Sequence, residues 1–159
     1  RLTPADVDEI LALQAKHSEY HQHYQTNPVT KEDILAELET LPPKALPEQK
    51  FYLGFYAQDE LVVLVDLVLD HPQANCAWLG LVMTEKTKLR QHYATKVLTA
   101  LRSALKREGY KELMTSSALS DVNAQAFLNA QGFEQGMVTA VYDPKLGHDI
   151  QVVLRGIEL

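Results

Sequence analysis

The sequence predicts a mixed α/β fold: a mostly antiparallel sheet of six to seven strands, with a central parallel βαβ unit and helices on both faces. Three observations carry this. A long amphipathic run from Tyr93 to about Glu108 lies between strand-like runs 77–84 and 112–116, so those strands should be parallel with a right-handed crossover. The other strand-like runs come in pairs joined by short polar turns, as antiparallel hairpins do. Two capped helical segments precede the first strand.

Thr3 is placed to cap the first helix, with Pro4 at its first position and Asp6 three residues after the cap. Val7, Ile10, Leu11 and Gln14 share one face. A polar, aromatic stretch follows, His17 to Tyr24. Thr30 caps a second helix with Asp33 at the capping-box position; Ile34, Leu35, Leu38 and Leu41 form its apolar face, and Pro42-Pro43 end it. Phe51–Tyr56 and Leu61–Leu69 read as strands around a polar turn. The second is nearly all Val and Leu, interrupted by Asp66, and belongs in the sheet interior. In the helix after the third strand, Ala94, Val97, Leu98, Leu101, Ala104 and Leu105 keep helical spacing until Gly109 stops it. Val122–Ala130 is a short helix stopped by Gln131-Gly132. Strands 133–142 and 150–154 close the chain.

A length of 159 residues suits one domain spanning 1–159. The single Cys76 leaves no disulfide framework and no cysteine-based zinc site, and it fits a reducing compartment. No apolar run approaches the roughly 20 residues of a membrane-spanning helix. Arg1-Leu2-Thr3-Pro4 carries no signal-peptide pattern, so a cytoplasmic location without membrane contact is expected. The net charge of −6 argues against a general nucleic-acid binder. Its distribution is uneven: residues 1–74 carry −8 and residues 75–159 carry +2. Within 86–111 eight bases face one acid, Glu108, so this segment attracts a polyanion or is a solvated helix face, while the N-terminal half favours a cation.

Two local patterns and the closing hairpin carry a resemblance. Trp78-Leu79-Gly80-Leu81-Val82-Met83-Thr84 is followed about ten residues on by the amphipathic helix. Asp121-Val122-Asn123-Ala124-Gln125-Ala126-Phe127-Leu128-Asn129-Ala130-Gln131-Gly132-Phe133 matches an N-x-x-A-x-x-F-Y-x-x-x-G-F pattern in part. With the hairpin 133–154, these resemble the GNAT N-acetyltransferases, which move acetyl from acetyl-CoA to an amine. The resemblance implies that acetyl-CoA is the cosubstrate and lies between strands 77–84 and 112–116. Its pantetheine would bond Leu81, Val82 and Met83, and its pyrophosphate would meet Arg90, Gln91, His92, Tyr93, Ala94, Thr95 and Lys96. Asp121, Asn123, Phe127 and Leu128 would complete the cofactor site.

The family's phosphate loop reads Q/R-x-x-G-x-G/A, because glycine lets phosphate reach backbone amides at a helix N-terminus. Here Leu89, His92 and Ala94 fill those positions. Either Arg90, His92 and Lys96 hold phosphate through side-chain cations, or His92 fills the space a pyrophosphate needs. The family's general-acid tyrosine falls on Leu128, which has no proton to give.

Glu19, Tyr20 and Tyr24 are candidates for an acidic, aromatic acceptor lining, with a solvated connection as the alternative. His17, His21 and His23 fit a polar surface or pocket rim better than a metal site, and no metal is expected. Two carboxylates are candidate general bases: Glu85 at the end of the central strand and Asp66, whose desolvation would raise its pKa. Glu85 as a loop residue and Asp66 as an outward or hydrogen-bonded strand residue are the alternatives. Thr115, Ser116 and Ser117 could polarise groups through water. The expected function is acetyl transfer from acetyl-CoA to a small-molecule or peptide amine by direct attack. The rival is a GNAT-like binding or interaction domain without catalysis. Exposed edges of the closing hairpin offer pairing across a homodimer.

Overall fold

The computed structural model describes all 159 residues. A 3-10 turn, Pro4–Asp6, leads into α1 (Val7–Gln14), followed by α2 (Ser18–His21) and α3 (Lys31–Glu39). Then come β1 (Lys50–Ala57), β2 (Glu60–Leu69), β3 (Cys76–Thr84), α4 (Tyr93–Arg107), β4 (Glu112–Ala118), α5 (Val122–Ala130), β5 (Glu134–Asp143) and β6 (His148–Glu158). The six strands form one sheet in the order β1-β2-β3-β4-β6-β5. Only β3 and β4 pair in parallel, across the α4 crossover; the other neighbours are antiparallel.

Local sequence builds these elements. Both expected capping boxes form: Asp6 accepts from the Thr3 amide at 2.8 Å, and Asp33 accepts from the Thr30 amide at 2.9 Å. Each such cap is worth about 1 kcal/mol. Gln58 and Asp59, with φ of 51° and 65°, make the two-residue left-handed turn that matches strand twist between β1 and β2. Gly109, at φ 94°, ends α4.

The sheet is covered on both faces. Val97, Leu98, Leu101 and Leu105 of α4, with Leu128 and Phe133, pack on Val63, Val65, Leu79 and Leu113. On the other face, Ile10 and Leu13 of α1 and Ile34 of α3 meet Leu64, Leu81 and Met83. Alternation along β2 therefore turns Asp66 toward the same side as Leu64, under α1 and α3.

Three details differ from the sequence reading. Residues 17–24 contain a helical turn, α2. Helix α3 stops at Glu39, where Thr40 becomes extended, so Leu41 lies outside it. Strand β6 runs to Glu158 instead of Leu154 because it pairs with the full length of β4, down to Glu112 opposite Glu158, and Arg155 within it is only 3% exposed. Its guanidinium donates to Gln125 Oε1, Asn129 Oδ1 and the Phe133 carbonyl, fastening α5 to the sheet.

Candidate active site

The parallel pairing of β3 and β4 covers only Cys76–Leu79 against Glu112–Thr115. Beyond it, Gly80–Thr84 stays with β2 while Ser116–Ala118 stays with β6. A bulge at Gly80, where Asp66 opposes Leu81 and Leu67 opposes Leu79, bends β3 at the parting point. Thr115 Oγ1 donates to the Leu79 carbonyl at 2.7 Å and pins the fork. The β4-facing backbone edge of Leu81–Met83 is thus left without a strand partner. Such an edge accepts an extended ligand through main-chain hydrogen bonds.

The fork opens into a groove of about 680 Å³. One end is the start of α4, which no side chain caps and whose first turn contains no acid. The Tyr93, Ala94 and Thr95 amides have no partner within the protein. Free amides and the helix dipole make this end an anion site. Arg90 and His92, both at φ 63°, hold the left-handed geometry that glycine adopts most readily. His92→Gly should leave stability within about 1 kcal/mol, because relief of left-handed strain offsets added chain entropy; His92→Val should cost about 1–2 kcal/mol. Denaturant unfolding of both variants checks this.

The predicted residues largely converge here. Leu81, Val82, Met83, Arg90, His92, Tyr93, Ala94, Thr95, Asp121, Asn123, Phe127 and Leu128 all line the groove. Glu19, Tyr20 and Tyr24 line it too. Gln91 and Lys96 stand outside its wall; the Lys96 ammonium lies over the Tyr93 ring at 5.9 Å. Asp121 caps α5, accepting from the Ala124 amide at 3.1 Å. Leu128 is buried where the resemblance implies a phenol, and the phenols on this wall are Tyr20, Tyr24 and Tyr93.

A second cavity, of about 550 Å³, adjoins the groove and shares Tyr20, Tyr24, Ser116 and Val152 with it. Its wall carries Asp33, Glu37, Asp66 and Asp143 against one cation, Lys145, which pairs with Asp33 at 3.1 Å. Lys50 sits behind this wall and reaches Asp66 at 3.1 Å and the Glu37 and Thr40 carbonyls at 2.7 Å each. Burial raises the Asp66 carboxyl, and Lys50 offsets this only in part. Burial also raises Glu37, against hydrogen bonds from Tyr52 and Gln14. Tyr20 is pushed well above the usual phenol range, chiefly by burial, so its hydroxyl keeps its proton. Tyr24 is raised by burial too, and its oxygen accepts from the Ala118 amide at 3.0 Å.

Glu85 lies outside both walls. Lys16 holds it at 2.5 Å, and although burial works to raise its carboxyl, Lys16 and Thr87 outweigh that and keep it below the usual range. The three histidines go separate ways: His17 Nε2 bonds the Thr84 carbonyl, His23 Nδ1 bonds Ser120, and His21 turns to the second cavity. Sequence reasoning missed Gln14, Glu37 and Lys145 as wall residues. An acidic surplus in the first half hinted at Glu37 alone.

A split parallel pair beside an uncapped helix start suits an extended ligand with an anionic end. The chain belongs to the GNAT acetyltransferase family: the model of the acetyltransferase (GNAT) domain matches residues 1–144. An acetyltransferase from Thermus thermophilus superposes with a TM-score of 0.80 at 20% identity, covering 99% of this chain and 94% of that one. The ribosomal-protein-S18-alanine N-acetyltransferase from Escherichia coli gives 0.68 at 14% identity, covering 99% and 90%. The PaiA N-acetyltransferase from Thermoplasma acidophilum, solved with coenzyme A, gives 0.67 at 14% identity, covering 99% and 96%. No curated protein matches the chain in sequence. No helix is long and apolar enough to cross a membrane.

Proposed function

We propose that this protein transfers acetyl from acetyl-CoA to an amine by direct attack. The observation that carries the reading is one continuous path: the uncapped start of α4, the open β3 edge, and the junction with the acidic cavity. The pyrophosphate would take the amides of Tyr93–Thr95, and the pantetheine would pair with Leu81–Met83. The thioester then reaches Tyr20, Tyr24, Ser116 and Val152, where the two cavities meet. The amine nitrogen bonds the carbonyl carbon, the C–S bond breaks, and the thiolate leaves and takes a proton. Holding both reactants at this junction supplies much of the rate.

Leu128 is the observation on the side of a binding domain without catalysis, since it removes the phenol the family places there. Titration of CoA and acetyl-CoA by calorimetry and thermal shift separates the readings. Micromolar binding is expected, and ligand at about 100 times its dissociation constant should stabilise the fold by about 2.7 kcal/mol. Thiol release with an amine then tests transfer. Failure to bind millimolar ligand overturns the proposal. The homodimer reading rests on edge strand β5, where Met137, Val138, Val141 and Tyr142 are exposed.

A further inference from the structure

Two buried side-chain atoms in the whole molecule lack a hydrogen-bond partner, His21 Nε2 and Asp66 Oδ1. They come from different elements, α2 and β2, yet both residues line the second cavity. Leaving such buried atoms unpaired is unfavourable. One is a carboxylate oxygen, which accepts hydrogen bonds. The other is an imidazole nitrogen, which carries either a proton or a lone pair. In the neutral tautomer with its proton on Nδ1, Nε2 presents a lone pair. A carboxylate oxygen and an imidazole nitrogen, both unpaired and both on residues of one cavity wall, are the partners an ammonium needs, first to be held and then to lose a proton.

We propose that this cavity binds the acetyl acceptor as an alkylammonium bearing no carboxylate beside its nitrogen, with Asp66 Oδ1 as its anchor and His21 Nε2 as its base. This rests on the acetyl-transfer reading above. Four carboxylates face two ammonium groups around the cavity, and both ammoniums are committed, Lys145 to Asp33 and Lys50 to Asp66. A substrate carboxylate at the inner end would meet Glu37 and Asp66, and like charges brought together repel. The charge of the wall therefore selects amines over amino acids.

The step balances. The ammonium gives one proton to His21, and the freed lone pair forms the C–N bond at the thioester carbonyl. When the C–S bond breaks, the nitrogen loses its second proton and the CoA thiolate leaves as the thiol. His21 then returns its proton to solvent. Burial lowers the basicity of His21, and the groups facing it act in both directions. His17 and Lys145 disfavour its charged form, while the Gln14 carbonyl and Asp33 favour it; the Tyr20 ring lies edge-on at 5.1 Å. The ring is thus neutral, and able to take a proton, at neutral pH.

The test uses isobutylamine and valine, which differ by the carboxylate alone, titrated into the intact protein. Nitrogen NMR of the histidine rings reads binding without need of CoA. Isobutylamine should shift the His21 resonances and bind at least about tenfold more tightly than valine. With acetyl-CoA present, His21→Gln should keep amine binding but lower kcat by about 100-fold or more and remove the acidic limb of the kcat profile. Asp66→Asn should weaken isobutylamine binding at least about tenfold; should that variant fail to fold beside Lys50, the shift and the valine comparison in the unaltered protein decide. An unmoved His21 resonance, or valine binding as well as isobutylamine, overturns the proposal. Absence of CoA binding with His21 still shifted would instead sink the transfer reading and leave the ammonium site standing.

Discussion

Lys50→Ala should destabilise the fold by about 3–5 kcal/mol, the largest single-residue effect expected outside the apolar core. Lys50 is 6% exposed, and its ammonium closes three hydrogen bonds, to the Glu37 and Thr40 carbonyls and to Asp66. It satisfies the last turn of α3, whose dipole favours a cation there, and it neutralises a carboxylate under the helices. Its loss leaves Asp66 charged and alone. The double variant Lys50→Met/Asp66→Leu should recover most of the loss, because removing both partners removes the uncompensated charge. The pH dependence has a definite sign. Asp66 is raised by burial, so its contribution to stability is full in acid and falls as pH rises through the elevated pKa. Without Lys50 the elevation grows, so the penalty of Lys50→Ala should be smaller at about pH 5 than at about pH 8. Urea unfolding at both values measures it.

Ala94→Asp should separate stability from binding. Ala94 lies in the first turn of α4, where no acid is present, and it lines the groove. A carboxylate there meets the positive end of the dipole and should stabilise the helix by about 0.3–1 kcal/mol. The same carboxylate would stand where a pyrophosphate must sit. Repulsion of several kcal/mol should lower CoA affinity by about 100-fold or more. A higher melting temperature with binding abolished is the expected pair of results from thermal shift and calorimetry. Unchanged affinity would mean that CoA does not use this helix start.

The sequence carried the elements that depend on local chemistry. Thr3 and Thr30 announced their helices because a cap and its partner lie three residues apart, and α4 was readable because its buried side chains repeat at helical spacing. The parallel pairing of β3 and β4 was legible as a βαβ unit, since a helix between two strands leaves few alternatives, whereas their splaying apart was implied only by the family resemblance. Contacts between distant residues were not legible. Glu85 looked free at a strand end, but its partner Lys16 lies 69 residues away in sequence. Lys50 gave no sign of burial, because nothing local to it says that α3 will end above it. His21 read as one of three polar histidines, and only the packing of α2 over the sheet sends each to a different neighbour. His92 in a left-handed turn defeats residue-based reading outright, since the conformation persists where its favoured residue is absent.

The four-pair seam between β3 and β4 has a consequence for how the chain assembles. Residues up to Thr84 build β1-β2-β3, residues from Glu112 build β4-β6-β5, and no strand crosses from one half-sheet to the other. The first half is a meander of sequence-local pairings, the kind that forms early, while the second joins the local β5-β6 hairpin to β4; the remaining long-range cost is deferred to the seam and to α4 closing over it. A break in the exposed stretch Lys86–Thr87 would therefore yield two fragments that rejoin without threading, and the groove would exist only in the reunited molecule.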